Sequence, residues 1–178
     1  MSDYVTMRAF GATYDNVDAA EADYQTVKKL YYDLGLMDTF DAAVLKKKED
    51  GKVKIVKWHE QPTRQGGWVG AGLGLAGGLA IALFPAAALT AELLATTAGV
   101  GAAIGALAGH VAGGMSRGDL KDLGETLDAG QAGLVVVAAT DVGDRVAAAL
   151  KSARKVVTKD LKADQKELDK EIKAASKA

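Results

Sequence analysis

Read from its first residues, the chain sorts into short periodic segments on either side of a long apolar stretch. Val5, Met7 and Ala9 alternate with Tyr4, Thr6, Arg8 and Phe10, which predicts a strand over 4–10. Val17, Ala20, Tyr24, Val27, Tyr31 and Leu34 then recur at spacings of three and four, the stripe of an amphipathic helix. Asp15 is placed to cap that helix and Gly35 to stop it. Ala42–Lys47 and Lys52–Trp58 predict two strands, joined as a hairpin at Glu49-Asp50-Gly51. Pro62 and the polar run 61–65 interrupt the pattern.

Similar segments return beyond residue 114. Ser116 and Asp119 open a short helix ending near Leu127, and Asp128-Ala129-Gly130 turns the chain. Gly133–Ala139, centred on Leu134-Val135-Val136-Val137, predicts a strand buried on both faces. Asp141 is positioned to cap a helix reaching about Ser152, with Val142, Val146 and Leu150 on one side. Arg154–Lys159 predicts a last strand, and 163–177 a charged helix with Leu168 and Ile172 as its apolar contacts. The fold class expected is α+β, a ferredoxin-like split βαβ sandwich with an inserted glycine-rich apolar helical hairpin. The expected divisions are 1–65 and 115–160 for the two α+β halves, 66–114 for the hairpin, and 161–178 for the charged C-terminal helix.

The insert has a period of its own. Gly66, Gly70, Gly74 and Gly78 fall every fourth residue, and Ala82 and Ala86 continue the row. A second row, Gly101, Gly105, Gly109 and Gly113, follows Thr97 in the same register. Residues four apart share a helix face, so each arm would present a ridge without side chains, where two backbones can approach closely. Pro85 ends the first arm, and Thr90-Ala91-Glu92 is the most polar point between the two. Both glycine rows are expected to carry helix packing and self-association.

Charge sharpens this picture. The 49 residues from Gly66 to Gly114 hold a single formal charge, Glu92, while the remainder of the 178-residue chain carries all 22 basic groups and 22 acidic ones. At ~1.5 Å per residue, Gly67–Phe84 as a helix would reach roughly 27 Å, close to a bilayer's hydrocarbon thickness. Its glycines weaken both hydrophobicity and helix propensity, leaving one arm marginal alone. Two destinations therefore stand: insertion in lipid, or burial of the hairpins against one another in a soluble oligomer. Arg64 and Arg117 flank the outer ends, and both would lie on the cytoplasmic side of an inserted hairpin. Localisation is expected at the cytoplasmic side of the cell membrane, or in the cytoplasm as a soluble oligomer. The opening Met1-Ser2-Asp3-Tyr4 has no signal-peptide character, and an intracellular start is expected.

Composition excludes several chemistries. With no cysteine and two histidines, His59 and His110, thiol catalysis, iron–sulfur ligation and a multi-histidine metal site within one chain are ruled out. A formal charge of −1 gives no nucleic-acid footprint. Residues 72–77 fit G-x-G-x-x-G, but they lie inside the glycine repeat with no strand leading into them, so no dinucleotide site is expected. His110, in the second arm, is either an intramembrane proton or ligand group or a hydrogen-bonded histidine near a helix end. Glu92 marks the hairpin tip. At the tip Glu92 is expected to stay wet; Glu92 and His110 are the two candidates for a buried polar group in the hairpin. Lys46-Lys47-Lys48 with Lys52, Lys54 and Lys57 makes the β-hairpin basic, suited either to anionic head groups or to a solvated strand edge. No nucleophile–base pair, carboxylate pair or phosphate loop stands out. A non-enzymatic chain without cofactor or metal is expected; were the sheet to host chemistry, Asp41, His59 and Asp141 are the residues to examine.

Three runs carry a family resemblance: Gln61-Pro62-Thr63-Arg64-Gln65-Gly66-Gly67-Trp68 before the glycine arms, Gly113-Gly114-Met115-Ser116-Arg117-Gly118-Asp119-Leu120-Lys121-Asp122-Leu123-Gly124 after them, and Leu127 to Val137. Together they resemble an uncharacterised bacterial family, the domain of unknown function numbered twelve-sixty-nine, over nearly the whole chain. The resemblance implies a predicted membrane protein with no agreed activity and no catalytic residues to transfer. Two functional expectations follow from the residues. One is a self-assembling protein, oligomerising through its glycine rows in or at the membrane. The other is a soluble homo-oligomeric regulatory or ligand-binding module with the hairpins as its assembly core.

Overall fold

A computed structural model describes residues 4–37, 40–58, 76, 79, 80, 83, 114–164 and 170. The chain is α+β, with a five-stranded antiparallel sheet and three helices among the described residues. In order these are β1 (Tyr4–Tyr14), α1 (Val17–Asp33), β2 (Ala42–Lys47), β3 (Val53–Trp58), α2 (Arg117–Asp128), β4 (Ala132–Ala139), α3 (Gly143–Ala149) and β5 (Lys155–Asp164).

The helix starts show which short polar residues cap. The Asn16 side chain accepts the Ala19 N–H at 2.8 Å at the start of α1, so Asn16 is the cap where Asp15 was expected. Asp15 instead pairs with Arg154 at 3.0 Å. Gly35, at φ +70°, ends the helix in the left-handed conformation open to glycine. Ser116 caps α2 as expected, accepting from the Asp119 N–H at 3.1 Å. Asp141 caps nothing: it is exposed, and α3 begins after Val142 without a side-chain cap and covers only Gly143–Ala149. In the β2–β3 turn, Gly51 at φ +82° donates its N–H to the Lys48 carbonyl at 2.9 Å.

The strands lie in the order β3-β2-β4-β1-β5, with every pairing antiparallel. β1 and β2 therefore run parallel with β4 between them, and β4 and β5 run parallel with β1 between them. Each strand–helix–strand passage skips one strand, and the two passages interlock. This order makes β4 the central strand, and the seven residues from Ala132 to Ala138 are all buried, as its continuous apolar run predicts.

Two strands extend past their expected ends. β1 runs to Tyr14, and β5 runs to Asp164, paired with β1 from Thr13↔Lys155 to Tyr4↔Asp164. Residues 161–164, expected to begin a charged helix, are strand. The cause is that β5 lies at the sheet edge, where charges point to water and blur the alternation.

Each sheet face has its own core. Phe10, Ala12, Tyr14, Val44, Leu134 and Val136 pack under α1 and α3. The opposite face, with Ala9, Ala43, Leu45, Val135, Val137 and Leu161, packs under Leu123 and Leu127 of α2 and under Ala76, Leu79 and Ala80. Gly11 and Gly133 make room for α2. A Cβ on Gly11 would lie 2.8 Å from Leu123 Cδ2, and one on Gly133 would lie 2.7 Å from Leu127 Cδ2.

Candidate functional site

The site of interest is the place where the apolar insert meets the sheet. Ala76, Leu79, Ala80 and Leu83 are helical, and their spacing of three and four puts them on one face. Ala76 and Leu79 are 0% exposed and Ala80 2%, while Leu83 packs at the margin of the same cluster. Part of the first glycine arm is thus a core element of the α+β unit. Helix α2 lies beside it, so close that a Cβ on Gly124 would sit 3.3 Å from the Leu83 carbonyl oxygen.

A buried carboxylate pins this contact. Asp41 precedes β2; its backbone carbonyl accepts the Val137 N–H at 3.0 Å, which fixes it against the central strand. Its Oδ1 accepts the Ala76 N–H at 3.0 Å, and the residue is 3% exposed. A backbone N–H inside an apolar contact needs a partner, and a carboxylate needs donors. Each here supplies the other across 35 positions of sequence. The result is a tether between sheet and insert.

A second buried acid ties the other layer together. Asp23 occupies the buried stripe of α1. Its Oδ2 accepts the Tyr14 hydroxyl at 2.8 Å and the Ser152 N–H at 3.0 Å, so one carboxylate joins α1, the end of β1 and the turn after α3. Burial, then the hydrogen bond to Asp23 and its charge, push the Tyr14 hydroxyl above its ordinary range and keep it a donor. All of its geometry is that of a packing node.

Surface charge is concentrated at both edges of the sheet. On β5, Lys159 reaches Asp122 at 2.9 Å and Asp119 at 3.5 Å, joining the edge strand to α2. The hydrogen bond and charge of Lys159 hold the Asp122 carboxyl below the usual carboxylate range, and Asp122 raises the Lys159 ammonium in turn. Toward the other edge, Lys47 on β2 pairs with Asp128 at 3.0 Å, and on the edge strand β3 the Lys57 ammonium stands 5.4 Å from the centre of the Tyr24 ring.

The expected glycine positions (Gly66, Gly70, Gly74, Gly78, Gly101, Gly105, Gly109 and Gly113) lie outside the described residues, as do Glu92, His110 and His59. Asp41 is at the tether and Asp141 is exposed beyond the end of β4. No group of three or more His, Asp or Glu residues among the described residues is arranged to hold a metal ion. No helix among them is long and apolar enough to cross a membrane. Sequence reasoning missed the roles of Asp23 and the Asp41–Ala76 pair. Asp23 left a signal, an acid one step from Tyr24 inside an apolar stripe; the Asp41 contact left none.

Residues 67–173 match the model of one protein family, described as protein of unknown function (DUF1269). The match takes in more than half of the chain, and the chain belongs to that family. It begins at the insert and runs through both later strands, leaving the first α+β half outside, where the resemblance had taken in nearly everything. No curated protein and no solved structure matches.

Proposed function

We propose that this member of the family is a non-enzymatic self-assembling protein in which the outward side of the docked first arm makes the contact between copies. The observation that carries this reading is the burial of Ala76, Leu79 and Ala80 on the sheet. At about 100° per residue on an ideal helix, positions 74 and 78 stand roughly 160–200° from position 76. Were the helix of Ala76, Leu79 and Ala80 to continue through these positions, Gly74 and Gly78 would fall on the side away from the sheet, where a second arm could approach backbone to backbone. Gly70 and Gly74 of the first row, and Gly105 and Gly109 of the second, carry the helix contact in this reading.

The fold proposed to support it is the ferredoxin-like split βαβ arrangement. Leaving β3 aside, the order β2-β4-β1-β5 and the two interlocked strand–helix–strand passages support it. β3 adds an edge strand to this core, and α2 with Ala76, Leu79 and Ala80 covers the face that α1 and α3 leave open.

Assembly in or at the cytoplasmic membrane is supported by the nearly charge-free block of 49 residues. Assembly as a soluble homo-oligomeric module, the hairpins at its core, is supported by the docking of the arm on protein. Carbonate-washed membranes and the soluble fraction, each followed by light-scattering mass, separate the two. In either location the native protein is expected as a defined oligomer. Gly74→Leu is expected to reduce that mass to smaller species, and an unchanged mass would overturn the self-assembly reading.

A further inference from the structure

The β2–β3 hairpin holds an arrangement of charge that its own folding opposes. Its register sets Lys46 directly opposite Lys54, and the Lys48 N–H donates to the Lys52 carbonyl at 2.8 Å as the next pair toward the turn. Alternation puts all four on one face, that of Val44 and Val56, whereas Leu45 and Ile55 face the cluster holding Ala76. Like charges facing each other across strands are destabilising, and here two such pairs stand in succession. Lys47, pointing the other way, has Asp128; among the described residues Lys46, Lys48, Lys52 and Lys54 enter no ion pair. Of the acids in the turn, Asp50 directs Oδ1 to the Lys52 backbone N–H at 3.0 Å, and Glu49 is exposed. Protection of a bare edge accounts for lysines on β3, but not for Lys46, because β2 is paired on both sides.

We propose that this lysine ladder is a binding surface for the anionic head groups of a lipid bilayer. Lysine is a point charge on a flexible stem, suited to a fluid layer of phosphates that offers no fixed geometry. The ladder contains no arginine for bidentate recognition and no aromatic group between its lysines for base stacking, so a nucleic acid fits it less well. Strand β3 also leads within eight residues of Trp58 into the apolar block at Gly66, which keeps the ladder and that block together on one membrane. Because the lysines leave the sheet on the face away from Ala76, binding needs no undocking of the arm. The inference goes beyond self-assembly and does not depend on it.

Co-sedimentation of the full chain with two vesicle types tests it: phosphatidylcholine alone, and phosphatidylcholine with about one-third phosphatidylglycerol. Preference for the anionic vesicles is expected, weakening as salt shortens the screening length. Replacing Lys46, Lys48, Lys52 and Lys54 together by Gln is expected to weaken anionic-vesicle binding roughly a hundredfold or more, at about fivefold per lysine. The corresponding fourfold Arg variant keeps its charge and is expected to retain binding, which separates lost charge from lost folding. Light-scattering mass should be the same for wild type and the Gln variant, so failure here leaves the self-assembly reading standing. Equal binding to both vesicles, equal binding by wild type and the Gln variant, no binding, or tighter binding to a single-stranded oligonucleotide at the same salt would each overturn the proposal.

Discussion

A carboxylate in an apolar core persists only where donors meet it, and this chain does so at Asp23 and at Asp41. The two predict different losses. Asp41→Ala leaves the Ala76 N–H buried without its acceptor, a change expected to cost about 1–3 kcal/mol in denaturant unfolding, because the desolvation penalty is then unmet. Tyr14→Phe removes one of the donors to Asp23 and is expected to cost about 1–2 kcal/mol near neutral pH. It should also alter the alkaline limb. Tyr14 has its folded-state value raised above the ordinary 10.0, so its contribution is complete below pH 10 and is lost as pH rises beyond that point. Wild type should lose stability there by up to about 1.4 kcal/mol per pH unit from this group, and Tyr14→Phe should flatten that slope. Urea midpoints between pH 8 and about 11 check it, and an unchanged slope in the variant would show that other groups govern the alkaline loss. Neither role was read from the sequence, although Asp23 left a usable signal, because an acid inside a periodic apolar stripe demands a partner. The Asp41 contact left none, since nothing in the residues between 41 and 76 encodes which backbone N–H will face it.

At the scale of elements, period and turn chemistry carried most of what could be read. The α1 stripe, the Ser116 cap, the Asp50-Gly51 turn and the central strand around Val135 all follow from local pattern. Pattern failed where a neighbour decides. The Lys155–Asp164 segment is strongly charged, yet ten consecutive partners on β1 hold it as a strand through its last residue. The short α3 shows the converse, for Leu150 on its apolar side already leaves helical geometry, at ψ 59°, with its N–H on the Ala147 carbonyl. Packing of α2 on the sheet depends on the absence of side chains at Gly11 and Gly133. Gly11→Val should drive a branched side chain into Leu123 and cost about 1–3 kcal/mol or more, whereas a substitution on the exposed side of α2, such as Lys121→Ala, should stay within about 0.5 kcal/mol. Thermal midpoints of the two variants compared with wild type decide this. A stable Gly11→Val protein would mean that α2 can ride off the sheet without cost.

For the molecule as a whole, the nearly charge-free block reads from its sequence as a candidate for lipid, while Ala76, Leu79 and Ala80 within it are protein core. Hydropathy alone cannot separate them, because a buried sheet face offers apolar side chains the same refuge from water that lipid does. What separates them is the angular position of each residue. The row Ala76, Leu79, Ala80 and Leu83 packs in the core cluster on the sheet, and in the proposed assembly an ideal helix through them would leave positions 74 and 78, about half a turn away, for other copies. The two rows should therefore fail independently. Leu79→Ala removes a fully buried side chain from the core and is expected to lower unfolding stability by about 2–5 kcal/mol while the oligomer mass of the folded protein stays as it was. Gly74→Leu is expected to do the reverse, dissociating the oligomer while the isolated protomer keeps its Asp41 tether and its unfolding midpoint to within about 1 kcal/mol. Measuring light-scattering mass and denaturant midpoint on both variants gives four readings. If both quantities fall together in both variants, the arm's two sides form one cooperative interface, and assembly is what holds the arm on the sheet.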